Sequence, residues 1–242
     1  MNARLTDRDL RLLVKCAICR WLTTGQIQRL YFPKASLNAV QKRLRKLADA
    51  GYLRSYREHP TAEAVHALGP KGKSLVEEKG VEAIVSAEVP QQLPHLLGVN
   101  EVRIAVETSA THVGYFFAYW QLSDVGWSHS VIPDAVFAVR APERRTFVVE
   151  YDRSTETLTR LFQKLRSYDR GLMGFPFEAV LVLTERTRRL ELLSRAVRRA
   201  HLSLSVLAVS LVDIDQGDFF ASEFVELPDS TKRKVLAQRE GA

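Results

Sequence analysis

The sequence predicts an α/β (α+β) chain in two unlike parts, and three observations carry that reading. Residues 1–80 space their apolar side chains at helical intervals and hold 16 Lys and Arg against 7 Asp and Glu, whereas the remainder holds 19 against 21. Well into the chain, apolar stretches of strand length begin to appear, first in succession and then separated by amphipathic helical stretches. The resulting order in the second part is helix, three strands, helix, strand, helix, strand. Antiparallel strands that give way to a helical crossover imply a mixed sheet flanked by helices.

In the first part, Thr6 is the expected N-cap of a helix with Asp7 and Asp9 in its first turn and Leu10, Leu13, Ala17 and Trp21 along one side. A shorter helix follows Thr23 or Thr24 and ends before Pro33, which cannot continue it. Ser36 caps the third, LNAVQKRLRKLADA, whose apolar stripe is Leu37, Val40, Leu44 and Leu47; Gly51 stops it. YLRSYRE and AVHALG then read as two short strands joined by HPTAE, and GPKGKSLVEEKG as a helix started by Pro70 and stopped by Gly80.

Three helices followed by a two-stranded hairpin is the order of a winged helix-turn-helix, and residues 1–80 resemble winged-helix DNA-binding domains. In those the third helix enters the major groove and the hairpin flanks it. The residues expected to meet DNA are therefore Ser36, Asn38, Gln41, Lys42, Arg45 and Lys46 on the third helix, with Arg54 and Arg57 on the hairpin. The basic surplus of the first third suits a polyanion. Such modules also serve as protein–protein adaptors.

Residues 81–93, with Pro90, read as a linker to a domain spanning 94–215. There PHLLGVNEVRIAVETSATH is expected to be helical, and VGYFFAYWQ, VIPDAVFAVR and TFVVEY to be strands. TETLTRLFQKLRSY follows as a helix with Leu158, Leu161, Phe162, Leu165 and Tyr168 inward. FEAVLVLT and LSLSVLAVSLV are mainly apolar, as strands covered on both faces are, and an Arg-rich helix (Arg186, Arg188, Arg189, Arg195, Arg198, Arg199) lies between them. Residues 216–242 are expected to add an edge strand and a fraying tail.

The composition excludes several classes. No apolar run is long enough to span a membrane, and the N-terminus interleaves charges with leucines, unlike a secretory signal. Cys16 and Cys19 fall inside a helix with no second pair and no His pair at ligand spacing, so they read as small core residues and not a zinc site. The expectation is a cytoplasmic protein with no membrane partner and no small-molecule substrate.

Chemistry concentrates at one place. Glu150 and Asp152 are one residue apart near the end of a strand and so share a face. If the preceding strand pairs antiparallel, Asp134 approaches them, and Glu101 can add a fourth acid. Three convergent carboxylates suit Mg²⁺ or Mn²⁺, which can orient a water and neutralise a phosphodiester transition state. The plain alternative needs no metal: Asp152, Ser154 and Thr155 cap the next helix, and Glu150 pairs with Arg153 or Arg160.

Pro133-Asp134 and Glu150-x-Asp152 on a helix–strand–strand–strand–helix–strand core resemble the PD-(D/E)XK nuclease superfamily over residues 94–185. Those nucleases carry a lysine where this chain has Asp152; Lys164 on the next helix is the candidate substitute. PDAVF, VVEYDRST and KLRSY, together with the basic N-terminal module, more closely resemble the replication-relaxation family of bacterial plasmids and other mobile elements. That family shows P-D-G, E-x-D-x-G-T and K-x-x-x-Y. Here Ala135 and Ser154 stand where glycine is usual, while Asp134, Glu150, Asp152, Arg153, Thr155, Lys164 and Tyr168 match. The resemblance implies a DNA-linked role in replication, mobilisation or regulation of a mobile element and leaves catalysis open. The expectation is a double-stranded DNA-binding protein acting in replication or mobilisation control or transcriptional regulation, a homodimer because one helix reads few base pairs, with a nuclease-like domain that does not cleave. The alternative is a Mg²⁺- or Mn²⁺-dependent endonuclease in which Asp134, Glu150 and Asp152 hold the metal and Lys164 assists catalysis.

Overall fold

The computed structural model describes residues 4–85, 88–109, 111–140, 143–172, 175–198, 202–214 and 218–236. The chain divides into two compact units, Met1–Ile104 and Ala105–Ala242.

The first unit runs α1 (Asp7–Cys19), β1 (Leu22–Thr23), α2 (Thr24–Tyr31), α3 (Leu37–Asp49), β2 (Leu53–Tyr56), β3 (Val65–Leu68) and α4 (Pro70–Glu77), and takes in most of α5 (Leu93–Thr108). Each of the first three helices starts on a hydroxyl. Thr6 and Asp9 form a reciprocal capping box, Thr23 and Gln26 a second, and Ser36 Oγ accepts from Ala39 N at 3.3 Å. Leu12, Leu13, Cys16, Cys19, Ile27, Val40, Leu44 and Leu47 fill the core. Both cysteines are buried, free and packed among leucines, and burial pushes the Cys16 thiol well above its ordinary value.

Several expectations shift here. The hairpin is a three-stranded sheet, because Leu22 and Thr23 pair with His66 and Val65 of β3 to give the order β1-β3-β2. Trp21 lies beyond the end of α1, past Arg20 at φ 62°. Leu37 is 48 % exposed and stands outside the apolar stripe, being the first residue of its helix. The stretch expected as a linker starts packed on this unit through Val81 and Ala83, and Asn100 Nδ2 of α5 donates to the carbonyls of Cys19 and Trp21 at 2.9 and 2.8 Å. The first compact unit accordingly takes in α5 as far as Ile104. Close approach also fixes Gly72: a Cβ there would sit 2.1 Å from the Tyr52 carbonyl oxygen.

The second unit is built on a seven-stranded mixed sheet, in the order β10-β9-β8-β7-β6-β5-β4. β4 (Val113–Ala118), β5 (Ala135–Arg140) and β6 (Arg144–Asp152) pair antiparallel; β7 (Ala179–Thr184) and β8 (Val206–Ser210) continue parallel to β6; β9 (Glu223–Leu227) and β10 (Thr231–Lys234) close antiparallel. Two C-terminal strands thus replace the single edge strand expected, and residues 237–242 of the tail lie outside the described residues. α6 (Leu158–Gly171) and α7 (Thr187–Arg198) are the crossovers between the parallel strands, and Leu161, Leu165 and Tyr168 of α6 and Leu193 and Val197 of α7 share one buried cluster with Val148, Val180, Val182, Val206 and Ala208. Phe162 is not part of that packing; the Arg166 guanidinium lies over its ring at 4.9 Å. The Arg198 side chain and Arg199 lie outside the described residues.

The sequence did not signal the ion pair that ties α3 to α1. Arg43 Nε donates to Asp9 Oδ1 at 2.9 Å, and its terminal nitrogen closes on Oδ2. Burial alone would raise the Asp9 carboxyl, but hydrogen bonds from Arg43 and Thr6 outweigh it and hold it below its ordinary value. Arg43→Ala leaves this fully buried carboxylate without its cation. Such a change costs about 3 kcal/mol, and chemical denaturation of the variant should show a loss of that order; an unchanged midpoint would contradict the role given to the pair.

Candidate functional site

The acid cluster forms where β6 leaves the sheet. In the β5–β6 ladder Ala135 lies opposite Val149 and Asp134 N donates to Val149 O at 3.1 Å, which sets Asp134 beside Glu150. Asp134 Oδ2 accepts the Tyr151 backbone N–H at 2.8 Å. Leu161, Leu165 and Tyr168 form the buried face of α6, and Lys164 sits on its edge, one turn before Tyr168. Lys164 Nζ reaches down to Glu150 Oε2 at 2.5 Å and Asp134 Oδ1 at 3.7 Å, and the Tyr168 hydroxyl donates to Glu150 Oε1. The structure therefore brings Asp134, Glu150, Lys164 and Tyr168 together.

Asp152 has other partners. Its Oδ2 accepts from Arg189 Nε at 2.6 Å and its Oδ1 from the Ser154 N–H at 2.8 Å. Arg189 also donates to the Glu156 carbonyl at 2.6 Å, closing the β6–α6 turn. The parallel β6–β7 pairing, with Asp152 opposite Thr184, brings the first turn of α7 to the end of the sheet where Asp152 sits. That topology is the signal that could have singled out Arg189 among the arginines of its helix.

The cap-and-pair alternative is also revised. Thr157, not Asp152, Ser154 or Thr155, caps α6; Arg153 pairs with Glu185 at 3.4 Å and Arg160 with Glu156 at 3.5 Å. Ser154 adopts φ 61° with a buried hydroxyl that meets no hydrogen-bond partner. This left-handed backbone favours glycine, the residue usual at this position in the pattern above. Glu101 is engaged inside the first unit, on Gln26 Nε2 at 2.9 Å and on Arg29.

Electrostatics set the protonation of the cluster. Burial, and then the neighbouring Asp134, raise the Glu150 carboxyl to about 8 against the pull of Lys164 and Tyr168. Burial would lower the Lys164 ammonium, but Glu150 and Asp134 outweigh it and raise it. Burial and Glu150 together push the Tyr168 phenol well above its ordinary value. The shifts describe one interacting group: burial and Asp134 push the Glu150 carboxyl up, and the two acids in turn hold the Lys164 ammonium charged.

This donor set does not fit a divalent cation. Both Glu150 oxygens and both Asp152 oxygens are engaged by side-chain or backbone donors, and a lysine occupies the point between Asp134 and Glu150. Among the described residues no group of three or more His, Cys, Asp or Glu is gathered to hold a metal. Internal cations do the neutralising that a metal would do.

The second candidate surface is α3. Asn38, Lys42, Arg45 and Lys46 are exposed and Gln41 half-buried, on the side away from Val40, Leu44 and Leu47. Arg54 and Arg57 are exposed on and just after β2, and Ser36 is exposed while its hydroxyl caps the helix. Arg43 turns inward to Asp9, so the outward ridge consists of the other cations. Behind the hairpin, buried His66 bonds Thr24 Oγ1 at 3.0 Å and Ser55 Oγ at 2.9 Å; burial and then Arg57 lower it to about 4, so it stays neutral at ordinary pH.

A family model described as replication-relaxation matches residues 13–174. No curated protein and no solved structure matches the chain.

The raised Glu150 carboxyl makes stability depend on pH. Between the ordinary value of 4.5 and about 8 the folded protein holds a proton that the unfolded chain has released. The contribution of Glu150 to stability therefore falls as pH rises through that window and levels off above it, while His66, lowered from 6.5 to about 4, contributes in the opposite sense below 6.5. Glu150→Gln cannot titrate, so denaturation profiles measured on both sides of the window should lose this slope; a slope identical to that of the parent would contradict the assignment.

Proposed function

The chain belongs to the replication-relaxation family, and from that premise we propose that it is a double-stranded DNA-binding protein of a bacterial plasmid or other mobile element. It acts in control of replication or mobilisation or in transcriptional regulation. The observation that carries this reading is the exposed ridge of Asn38, Lys42, Arg45 and Lys46 on a helix whose opposite side is fixed in a core. The order α1-β1-α2-α3-β2-β3 in the first unit supports a winged helix-turn-helix, with α3 in the major groove and Arg54 and Arg57 on the flanking phosphates. A single recognition helix covers few base pairs, so a symmetric homodimer doubles the reach.

The second unit is read as a nuclease-like scaffold that does not cleave. Cleavage with a metal needs carboxylate oxygens free to bind it, and here Lys164, Tyr168 and Arg189 hold them. The endonuclease reading keeps one observation in its favour, the meeting of Asp134, Glu150 and Lys164 at one point.

Anisotropy of a labelled duplex over a range of salt tests the DNA reading. A phosphate-contacting Arg45 predicts that Arg45→Ala weakens binding and reduces the salt slope by about one. Affinity and slope both equal to those of the parent would remove α3 from the interface.

A further inference from the structure

A cleft of about 400 Å³ opens beside β4 in the second unit. Its walls include Tyr115 and Phe117 of β4, Trp127 and His129 of the following loop, Arg144 of β6 and Phe175 beyond α6. Tyr115 and Phe117 stack with centroids 5.0 Å apart. Trp127, His129 and Phe175 meet edge-to-face at 4.8, 5.1 and 5.4 Å. The Arg144 guanidinium lies 5.1 Å from the Tyr115 centroid. All five rings are half-buried and Arg144 is exposed. No Asp or Glu is among the lining residues.

Two further features bear on what enters. β4 is the edge strand, so the cleft lies at an open side of the sheet. Phe117 pairs with Val136, and Val136 with Val148, so the strand alternation sets Phe117 and Tyr115 on the sheet face that carries Glu150. On that face β4 puts half-buried aromatic rings at the solvent boundary.

We propose that this cleft binds unpaired bases of a single-stranded nucleic acid. The bases stack on Tyr115 and Phe117, and Arg144 meets the adjoining phosphate. Stacking rings joined to a cation is the pattern by which single strands are held without sequence preference, since every base offers a π-face. Proline-rich peptides also dock in aromatic clefts, but an arginine on the rim and a lining without carboxylates favour a polyanion. The proposal rests on the nucleic-acid-linked reading of the protein and adds to it a second ligand form on the second unit.

The test uses the full chain and a short labelled oligothymidylate, with an abasic oligonucleotide of equal length and charge as its counterpart. The oligothymidylate should bind about tenfold more tightly than the abasic strand, and the Tyr115→Leu/Phe117→Leu double variant, which keeps apolar bulk, should lose about the same factor. Its melting temperature reports whether it folds, and if it does not, Arg144→Ser and the abasic comparison decide alone. Equal affinity for the two strands, binding unchanged in a folded double variant, or a proline-rich peptide that occupies the cleft while oligothymidylate does not, each overturns the proposal. Arg45→Ala separates the two readings. That variant should lose duplex affinity and keep oligothymidylate binding; in the parent protein, no duplex binding beside intact oligothymidylate binding removes the α3 interface only, and the reverse removes the cleft only.

Discussion

The second unit depends on the contact of Lys164 with Glu150 and Asp134. Taking two carboxylates out of water beside each other is costly, and the sheet around them offsets little of it beyond the Tyr151 N–H that meets Asp134. α6 supplies the compensation from within the chain. Leu161, Leu165 and Tyr168 dock the helix on Val148 and Val180, and that docking aims Lys164 at the carboxylates. The apolar packing and the polar cluster are thus one device: the helix cannot leave the sheet without exposing a leucine face and stranding a buried acid pair. Arg189 does the same for Asp152 from α7, so both crossover helices are locked to the sheet through a cation.

The first unit uses the same logic with a different outcome. Arg43 is spent inward on Asp9, which ties α3 to α1. The remaining cations of α3 stand in solvent with no packing role in this unit's core. A helix held rigidly on one side and charged on the other is a good docking element because its side chains start from a fixed backbone.

Much of this was legible in the sequence, and what was missed has physical causes. Hydroxyl caps at Thr6, Thr23 and Ser36 and the leucine spacing of α1 and α3 were readable because they are local. So was the approach of Asp134 to Glu150, since a short connection between β5 and β6 forces it. The two-residue β1 was missed because Leu22 and Thr23 become a strand only by pairing with β3, far along the chain. The partner of Asp152 was missed for a related reason: parallel pairing of β6 and β7 is a long-range fact, and it alone picks Arg189 from a run of similar residues. Ile104 of α5 packs in the first unit's core, and the polar contacts of Asn100 and Glu101 that hold α5 there are ones no apolar pattern marks.

The central proposal is that the protein's own cations close the carboxylate cluster in place of a metal. Titration of the full chain with Mn²⁺, followed by the electron paramagnetic resonance signal of the free ion, tests this directly. The account predicts a signal that rises in proportion to added ion. Stoichiometric loss of that signal in the parent, restored by Asp134→Ala, would contradict it.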